Sequence, residues 1–335
     1  MKKLKIKIVF LNIFFLFFFY VLQAQQPTVK LEEIKIESDD KIDLTVVEQE
    51  MLNILKKMQF CKTEKCLVQR NEDLQNLFTT SFGKNQKKFW NYPFSELQKK
   101  MRILISSDKK VKFYQWNIQY PDHHYQFFTY LILQDKKNDF FLIFLEDLSL
   151  DEKIQKRKLT NSILTSDRWY GALYSEIIER NIGAEKYYFL IGWDGLHNVI
   201  HRKIIDVLRI DNQQISFGAP VFFMEKNKVH HRIFFDFMPK IHLFLSYQKN
   251  AEAIVVDHLD DWLEGLELDG FKIPTGNFNI FYWKNNGFYW LENFSELPKN
   301  NTKEIEEKYE EKFLKKIEVF EPKIEKKNKK SPRAI

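Results

Sequence analysis

The sequence contains little glycine or proline, with ten glycines and nine prolines in 335 residues. Glycine-rich loops let the backbone approach phosphate groups closely, and neither a phosphate loop nor a dinucleotide-binding fingerprint is present. The Gly-x-Ser-x-Gly turn that carries the nucleophile of many serine hydrolases is also missing. We therefore expect no cofactor, because no motif in the chain indicates one.

The excess of basic residues lies at the two ends of the chain. The first 24 residues carry four lysines and no acid, and residues 323–335 carry six basic residues against one acid. The body between them is slightly acidic, so the sequence pI of about 8.9 does not predict nucleic-acid binding. Residues 321–335 are expected to form a basic disordered tail.

The N-terminus has the pattern of a secretory signal peptide over residues 1–24. Lysines precede an apolar run from Ile8 to Leu22, which is shorter than the ~18 residues that a spanning helix needs and ends at Ala24. We expect cleavage after Ala24, export to the periplasm or the extracellular space, and no membrane span in the mature chain. Leu22 is larger than the residue that signal peptidase prefers, so an uncleaved N-terminal anchor is the alternative.

Cys61 and Cys66 are the two cysteines of the chain. In an exported protein the pair predicts a local disulfide, and a zinc site is the alternative, although residues 60–70 contain no further Cys or His. On one continuous helix the two side chains would diverge by about 140°. The bridge therefore requires a helix that ends near Phe60 and a turn over residues 62–65, with the Cα atoms within about 7 Å.

Two N-terminal helices are predicted from apolar residues at helical spacing. Thr45 and Glu48 are predicted to begin the first with a capping box, and a second helix is predicted over 67–78, ending before Gly83. A further helix is predicted over 301–320. The apolar positions of the first helix are Leu44, Val47, Met51, Leu55 and Met58.

From Arg102 onward, short apolar runs separated by charged or Gly/Asn turns are typical of β-strands. Short connections predict antiparallel meanders, in a sandwich-like or barrel-like arrangement. The predicted fold class is α+β and mainly antiparallel β, with an N-terminal helical region over 25–100, a β-rich body over 101–300 and a C-terminal helix. The predicted strands cover 102–106, 111–119, 125–134, 139–146, 170–178, 187–193, 219–224, 231–237, 242–247, 253–258, 277–283 and 287–292.

Several connections have their own signals. Asp194-Gly195 and Asn286-Gly287 are predicted to be hairpin turns. The apolar spacing of residues 198–208 is also compatible with a helix. The polar stretch 147–167 is predicted to be a seam within the body.

The densest group of potential acid–base residues is Asp257, His258 and Asp260, with Asp261 beside them, at the predicted end of a strand. Together with Asp194, the first three are the candidate catalytic residues. A solvated acidic turn explains the same cluster without any function.

A histidine pair at helical spacing, His197 and His201, does not lead to a metal prediction. Asn198 stands where the metalloprotease motif has a glutamate, and two surface histidines are the simpler explanation of the pair. No metal site is therefore predicted.

Aromatic residues make up 16% of the chain, and 32 of them are phenylalanine. Exposed aromatic rings on strands suit stacking on sugars or contact with a protein, and core packing is the alternative. Trp169, Tyr170 and Trp193 are the candidate binding residues, and Trp283 and Trp290 are further aromatic positions of interest.

Four motifs carry a resemblance over roughly residues 169–292. They are Trp169-Tyr170-Gly171-Ala172-Leu173-Tyr174, Ile191-Gly192-Trp193-Asp194-Gly195, Phe217-Gly218-Ala219-Pro220 and Ile254-Val255-Val256-Asp257-His258-Leu259. In these motifs the chain resembles an exported protein family of Bacteroidota with no assigned function. The resemblance implies export and lineage only, because it brings no activity, cofactor or site residue.

No complete catalytic constellation is present in the sequence. We therefore expect a non-catalytic binding or scaffolding protein of the envelope or periplasm, whose partner is an envelope protein or a glycan. The alternative is a hydrolase acting on a glycan or a cell-wall polymer, in which Asp257, His258, Asp260 or Asp194 supplies acid–base chemistry. That mechanism needs two carboxylates about 5–10 Å apart across a cleft.

Overall fold

The computed structural model describes residues 42–148, 159–197, 199–211, 213–224, 228–261 and 272–296. Several predictions lie outside the described residues: the signal peptide over 1–24, residues 149–158 of the seam predicted over 147–167, the C-terminal helix over 301–320 and the tail over 321–335. Within the described residues, no helix has both the length and the apolar character needed to cross a membrane.

The N-terminal helices are α1 (Leu44–Met58), α2 (Glu64–Lys84) and α3 (Gln86–Asn91), followed by a 3-10 turn at Leu97–Lys99. The predicted capping box is wrong, because Asp43 caps α1 by accepting the Thr45 N–H at 2.9 Å. Glu48 instead accepts the backbone N–H groups of Glu96 and Leu97, at 2.9 and 2.8 Å. Its buried carboxylate thus ties α1 to the chain that enters the sheets.

The disulfide between Cys61 and Cys66 is confirmed. Helix α1 ends at Met58, so the helix breaks before Cys61 as predicted. The Cα atoms of the two cysteines are 5.5 Å apart, within the expected limit of about 7 Å. Thr63 caps α2, where its hydroxyl accepts the Cys66 N–H at 3.3 Å. Gly83 does not end this helix, which continues to Lys84 because residues beyond Phe78 are also buried.

The rest of the described chain forms sixteen strands in three sheets. Their bounds are β1 (Arg102–Ile105), β2 (Val111–Gln119), β3 (Tyr125–Gln134), β4 (Phe140–Leu145), β5 (Leu164–Thr165), β6 (Leu173–Ile182), β7 (Glu185–His197), β8 (Ile200–Asp211), β9 (Gln214–Phe217), β10 (Phe222–Phe223), β11 (Val229–His230), β12 (Ile233–Phe237), β13 (Leu245–Gln248), β14 (Ala253–Asp261), β15 (Lys272–Lys284) and β16 (Gly287–Phe294).

The first sheet is the meander β1–β4. The second has the order β5-β9-β8-β7-β6, and β12 pairs with residues 201–205 of β8, next to the stretch 208–211 that pairs with β9. The third has the order β11-β10-β16-β15-β14-β13. The antiparallel, β-rich fold class is confirmed, with one exception: β10 pairs with β16 in parallel, Phe222 opposite Phe288.

The sheets stack face to face. Successive side chains of one strand point to opposite faces, so they enter the apolar cores on the two sides of its sheet. On β2, Tyr114 packs with the helices, whereas Phe113 packs with the second sheet. On β7, Leu190 faces the first sheet, whereas Ile191 faces the third. The order of layers is therefore helices, first sheet, second sheet and third sheet.

The helix that the spacing of residues 198–208 also allowed is wrong, because residues 200–208 belong to strand β8. Strand β8 is buried on both faces, Ile204 toward the first sheet and Ile205 toward the third, and a continuous apolar run of this kind also matches helical spacing. Because Asp194 lies within β7 opposite Arg202, the predicted turn at Asp194-Gly195 is also wrong. His197 and His201 therefore lie on paired strands and not on one helix.

The hairpin between β15 and β16 is confirmed. Its turn residues are Asn285 and Asn286, one position before the predicted pair, with Lys284 opposite Gly287. Both asparagines have positive φ, 47° and 66°, as the tight turns of twisted hairpins require.

Candidate functional site

An open cleft of about 220 Å³ lies between β12 of the second sheet and strands β14–β16 of the third. Its walls combine aromatic rings with acidic and amide side chains. The residues that line it are Phe234, Phe235, Asp236, Asp257, His258, Leu259, Lys272, Asn279, Trp290 and Glu292. Asp257 and His258, two of the candidate catalytic residues, are thus in this cleft.

A strand irregularity places Asp257 and His258 side by side at the cleft. Successive residues of a regular strand point to opposite faces, but the pairing of β14 with β15 shifts register between Asp257 and Leu259. Bulges of this kind redirect side chains and are common beside functional sites. The local irregularity therefore allows both neighbours to contribute to one site.

The polar groups of β14 and β15 at the cleft are linked by hydrogen bonds. The Asp257 carboxylate accepts the Phe244 N–H at 2.7 Å, and burial raises the pKa of Asp257 above its usual value. His258 Nδ1 lies 3.0 Å from Asn279 Oδ1, an arrangement in which the ring nitrogen donates. The same Asn279 oxygen accepts the Asn293 N–H at 3.0 Å. His258 is thus oriented by a buried amide.

Strand β16 contributes the exposed carboxylate of Glu292 and the buried indole of Trp290 to the cleft. Trp290 Nε1 donates to Glu292 Oε1 at 2.7 Å, and the Trp290 ring packs against Phe235 and Phe281. Only 8% of Trp290 is exposed, so its indole forms the floor of the cleft, whereas Glu292 stands at the rim in solvent.

Behind the cleft, Asp236 belongs to a buried set that we call the Arg202 network: Tyr170, Asp194, Arg202 and Asp236. Arg202 donates to both carboxylate oxygens of Asp236, at 2.6 and 3.0 Å, and to the Tyr170 hydroxyl at 2.7 Å. Tyr170 then donates to Asp194 at 2.6 Å. The Arg202 guanidinium also lies over the Phe234 ring, 4.7 Å from the centroid. The bidentate contact fixes Asp236 at the cleft wall.

Asp194 lies at the inner end of this network. It is 1% exposed, and its second oxygen accepts the Leu196 N–H at 2.7 Å. Burial raises the pKa of the Asp194 carboxyl, and the Tyr170 hydrogen bond opposes that shift. Asp194 reaches the cleft only through Tyr170, Arg202 and Asp236, so the structure does not bring it together with Asp257.

Asp260 lies near the end of β14 and is exposed. Its carboxylate accepts the N–H of Asp261, whose own carboxylate pairs with Lys272 at 3.2 Å. Asp260 is not among the cleft residues. In the part of the chain that the structure describes, no group of three or more His, Cys, Asp or Glu side chains is close enough to hold a metal ion.

Two of the three candidate aromatic residues lie in the interior. Trp169 is fully buried, and its indole donates to the Tyr174 hydroxyl at 2.9 Å, next to a buried ion pair of Asp206 with Arg232. Tyr170 is 2% exposed, within the Arg202 network. Trp193 is half-buried and packs edge-on against Tyr125. Burial thus removes Trp169 and Tyr170 from any surface that a ligand reaches.

Sequence reasoning missed Asp236, Arg202, Asn279 and Glu292. A signal exists for Asp236, since it interrupts the apolar run of a buried strand, and a buried charge requires a partner such as Arg202. Asn279 and Glu292 carry no such signal, because their role follows from the pairing of β15 with β14 and β16.

These features define a β-rich protein of three stacked sheets, with an open cleft where the second and third sheets meet. No protein-family model, curated protein or solved structure matches the chain. The chemistry of the cleft therefore carries the functional argument.

Proposed function

We propose that the chain is an exported, non-catalytic binding protein of the cell envelope, which holds a sugar unit of a glycan in the cleft between β12 and β14–β16. The observation that carries the proposal is the composition of the cleft. Phe235 and the Trp290 indole offer apolar contact to the C–H surface of a sugar, while Asp257, Asn279 and Glu292 offer hydrogen-bonding groups to its hydroxyls.

The size of the cleft favours one unit of a longer polymer. Pockets that enclose a whole drug-sized ligand measure roughly 300–1,000 Å³, whereas this cleft measures about 220 Å³ and opens to solvent. A polymer that crosses the surface and places one ring in the cleft fits this shape better than an enclosed small molecule does.

The state of the carboxylates supports binding over hydrolysis. Asp236 accepts from Arg202, Asp257 from the Phe244 N–H and Glu292 from the Trp290 indole, so each of the three carboxylates already acts as a hydrogen-bond acceptor. A general acid must instead hold a proton. One observation favours the hydrolase alternative, since burial raises the pKa of Asp257 in a cleft that also contains Glu292.

The proposed location is supported by three features. A disulfide such as Cys61–Cys66 is stable in oxidising compartments outside the cytoplasm. The lysine-rich, apolar start of the chain has the form of a signal peptide. The family resemblance of residues 169–292 supports the same proposal of an exported protein of Bacteroidota.

Co-sedimentation with purified peptidoglycan, together with a panel of soluble envelope glycans, tests the proposal. Asp257→Asn and Glu292→Gln each remove charge and keep shape, and Glu50→Gln on the exposed face of α1 is the matched control. We expect binding to the wild type and the control, and at least about a tenfold loss in the two cleft variants, which corresponds to the loss of one or two hydrogen bonds to charged groups.

Two results contradict the proposal. The first is that the wild type retains no glycan, or that the wild type, the control and the two cleft variants bind equally. The other is the release of new reducing ends by the wild type and not by Asp257→Asn, which would establish the hydrolase in place of the binding protein.

A further inference from the structure

We propose that residues 301–320 of the same chain dock as a helix on the outer face of the third sheet. The inner face of this sheet, with Ile254, Phe281 and Trp290, packs with side chains of the second sheet. The outer face forms an apolar cluster of its own. Its members on the strands are Phe223, Ala253, Val255, Ile280, Tyr282, Tyr289 and Leu291. This inference is independent of the proposed glycan binding.

The strand register places these side chains on one continuous surface. Residues that lie opposite each other on neighbouring strands point to the same face of a sheet. The opposed pairs, in order across the sheet, are Phe223–Tyr289, Tyr289–Tyr282, Leu291–Ile280, Tyr282–Ala253 and Ile280–Val255. The outer face is therefore an apolar patch that crosses the four strands β10, β16, β15 and β14.

This patch is buried, although no described helix or strand lies on it. Val255 and Ile280 are 0% exposed, and Tyr282 is 3% exposed. Among the described elements, the helices and the other two sheets all lie on the inner side of the third sheet. The structure contains a single chain, so the cover comes from a segment of this chain outside the described residues.

Residues 301–320 follow this surface directly along the chain. Strand β16 ends at Phe294, which is 3% exposed and belongs to the outer cluster. The six residues 295–300 reach about 20 Å when extended, which lets the chain turn back over the sheet. A helix over 301–320 is about 30 Å long, whereas the four strands of the patch span only about 14 Å. The segment can therefore cross the whole patch.

The sequence of the segment also suits an apolar surface. Ile305, Tyr309, Phe313 and Ile317 recur at intervals of four, which places them along one side of a helix. Glutamates and lysines occupy most of the other positions. A helix of this kind gains most of its stability from packing its apolar side against the rest of the protein. The third sheet offers that surface beside the start of the segment.

The other segments outside the described residues start farther from the patch or are too short. Residues 1–41 lead into α1, on the far side of the first and second sheets. Residues 149–158 join β4 to β5, which belong to those two sheets. Residues 262–271 leave β14 about 20 Å along the strand from Val255. The three residues 225–227 are too few to cover four strands.

Limited trypsin digestion of the folded, full-length protein tests the docking, because both 301–320 and 321–335 contain several lysines. We expect cutting within 301–320 to be at least about tenfold slower than within 321–335, since a packed segment must open before a protease can bind it. Phe313→Ser should remove this protection. Glu311→Gln, on the opposite side of the helix, is the matched control and should keep it.

A fluorescent label gives a second readout that does not depend on proteolysis. Tyr309→Cys provides one reactive thiol, because Cys61 and Cys66 are bridged. A polarity-sensitive dye on this thiol should show blue-shifted emission relative to the same dye on Glu311→Cys. Equal cutting of 301–320 and 321–335 in the wild type, or protection that Phe313→Ser leaves unchanged, would overturn the proposal. Solvent-like emission at position 309 would also overturn it, as would protection that is lost on dilution, because another copy would then supply the cover.

Discussion

Lys112 is a buried lysine whose replacement should change the pH dependence of stability. It lies on β2 facing the helices and is 6% exposed. Its Nζ donates to Trp90 O at 3.0 Å and lies 5.1 Å from the centroid of the Tyr114 ring. Burial lowers the pKa of Lys112 from 10.5 to about 8. The protonated lysine therefore destabilises the fold at neutral pH.

The magnitude follows from the difference between the two pKa values. One pKa unit corresponds to about 1.4 kcal/mol, so the protonated Lys112 costs about 3 kcal/mol at pH 7. Because the folded-state pKa lies below the unfolded-state value, the unfolded chain binds more protons between pH 8 and 10.5. The free energy of unfolding of the wild type should therefore rise with pH through that window.

Lys112→Met keeps the length of the side chain and removes the charge. Urea unfolding at pH 7 and pH 9 should show that the wild type gains about 1.3 kcal/mol relative to Lys112→Met over this range. Groups that titrate in both proteins cancel in this difference. The exposed Lys57→Met is the control, and it should follow the wild type. Parallel pH profiles for the wild type and Lys112→Met would refute the reasoning.

Three further changes test the packing. Gly171→Ala should lower the free energy of unfolding by more than about 1 kcal/mol, because Gly171 has a φ of +80° and an added Cβ would lie 1.9 Å from the Asp147 carboxylate. An unchanged melting temperature would contradict this prediction. Arg202→Met should destabilise the fold by about 3–5 kcal/mol in denaturant unfolding, because it leaves the buried charge of Asp236 unpaired. Adding Asp236→Leu removes that charge and should recover much of the loss. Two additive losses would contradict this prediction. Replacing both cysteines by serine should lower the free energy of unfolding by only about 2 kcal/mol and leave the helical circular dichroism unchanged. Loss of the helices would show a larger role for this short bridge.

The local patterns of the sequence predict individual elements well. The bounds of β2 and β3 match the predicted segments 111–119 and 125–134, because dense aromatic and β-branched residues are bounded there by polar turns. The disulfide also follows from local geometry. Strand β8 is the counterexample, since a strand buried on two sides loses the alternation that distinguishes it from a helix.

The site depends on contacts that no local pattern contains. Asp257 and His258 are visible in the sequence as neighbours, but Asp236 joins them because β12 pairs with β8 of another sheet. Glu292 joins them because β16 lies beside β15 in the third sheet. Trp169 and Asp194 are prominent in the sequence, yet the stacking of three sheets buries both.

Hydrogen–deuterium exchange with and without a bound envelope glycan tests the central claim, that the cleft is the ligand site. We expect slower exchange on glycan addition in residues 234–236, 257–259 and 290–293, which line or flank the cleft, and no change in α2 on the far side of the first sheet. Slower exchange confined to α2 or to β4, with the cleft segments unchanged, would contradict it.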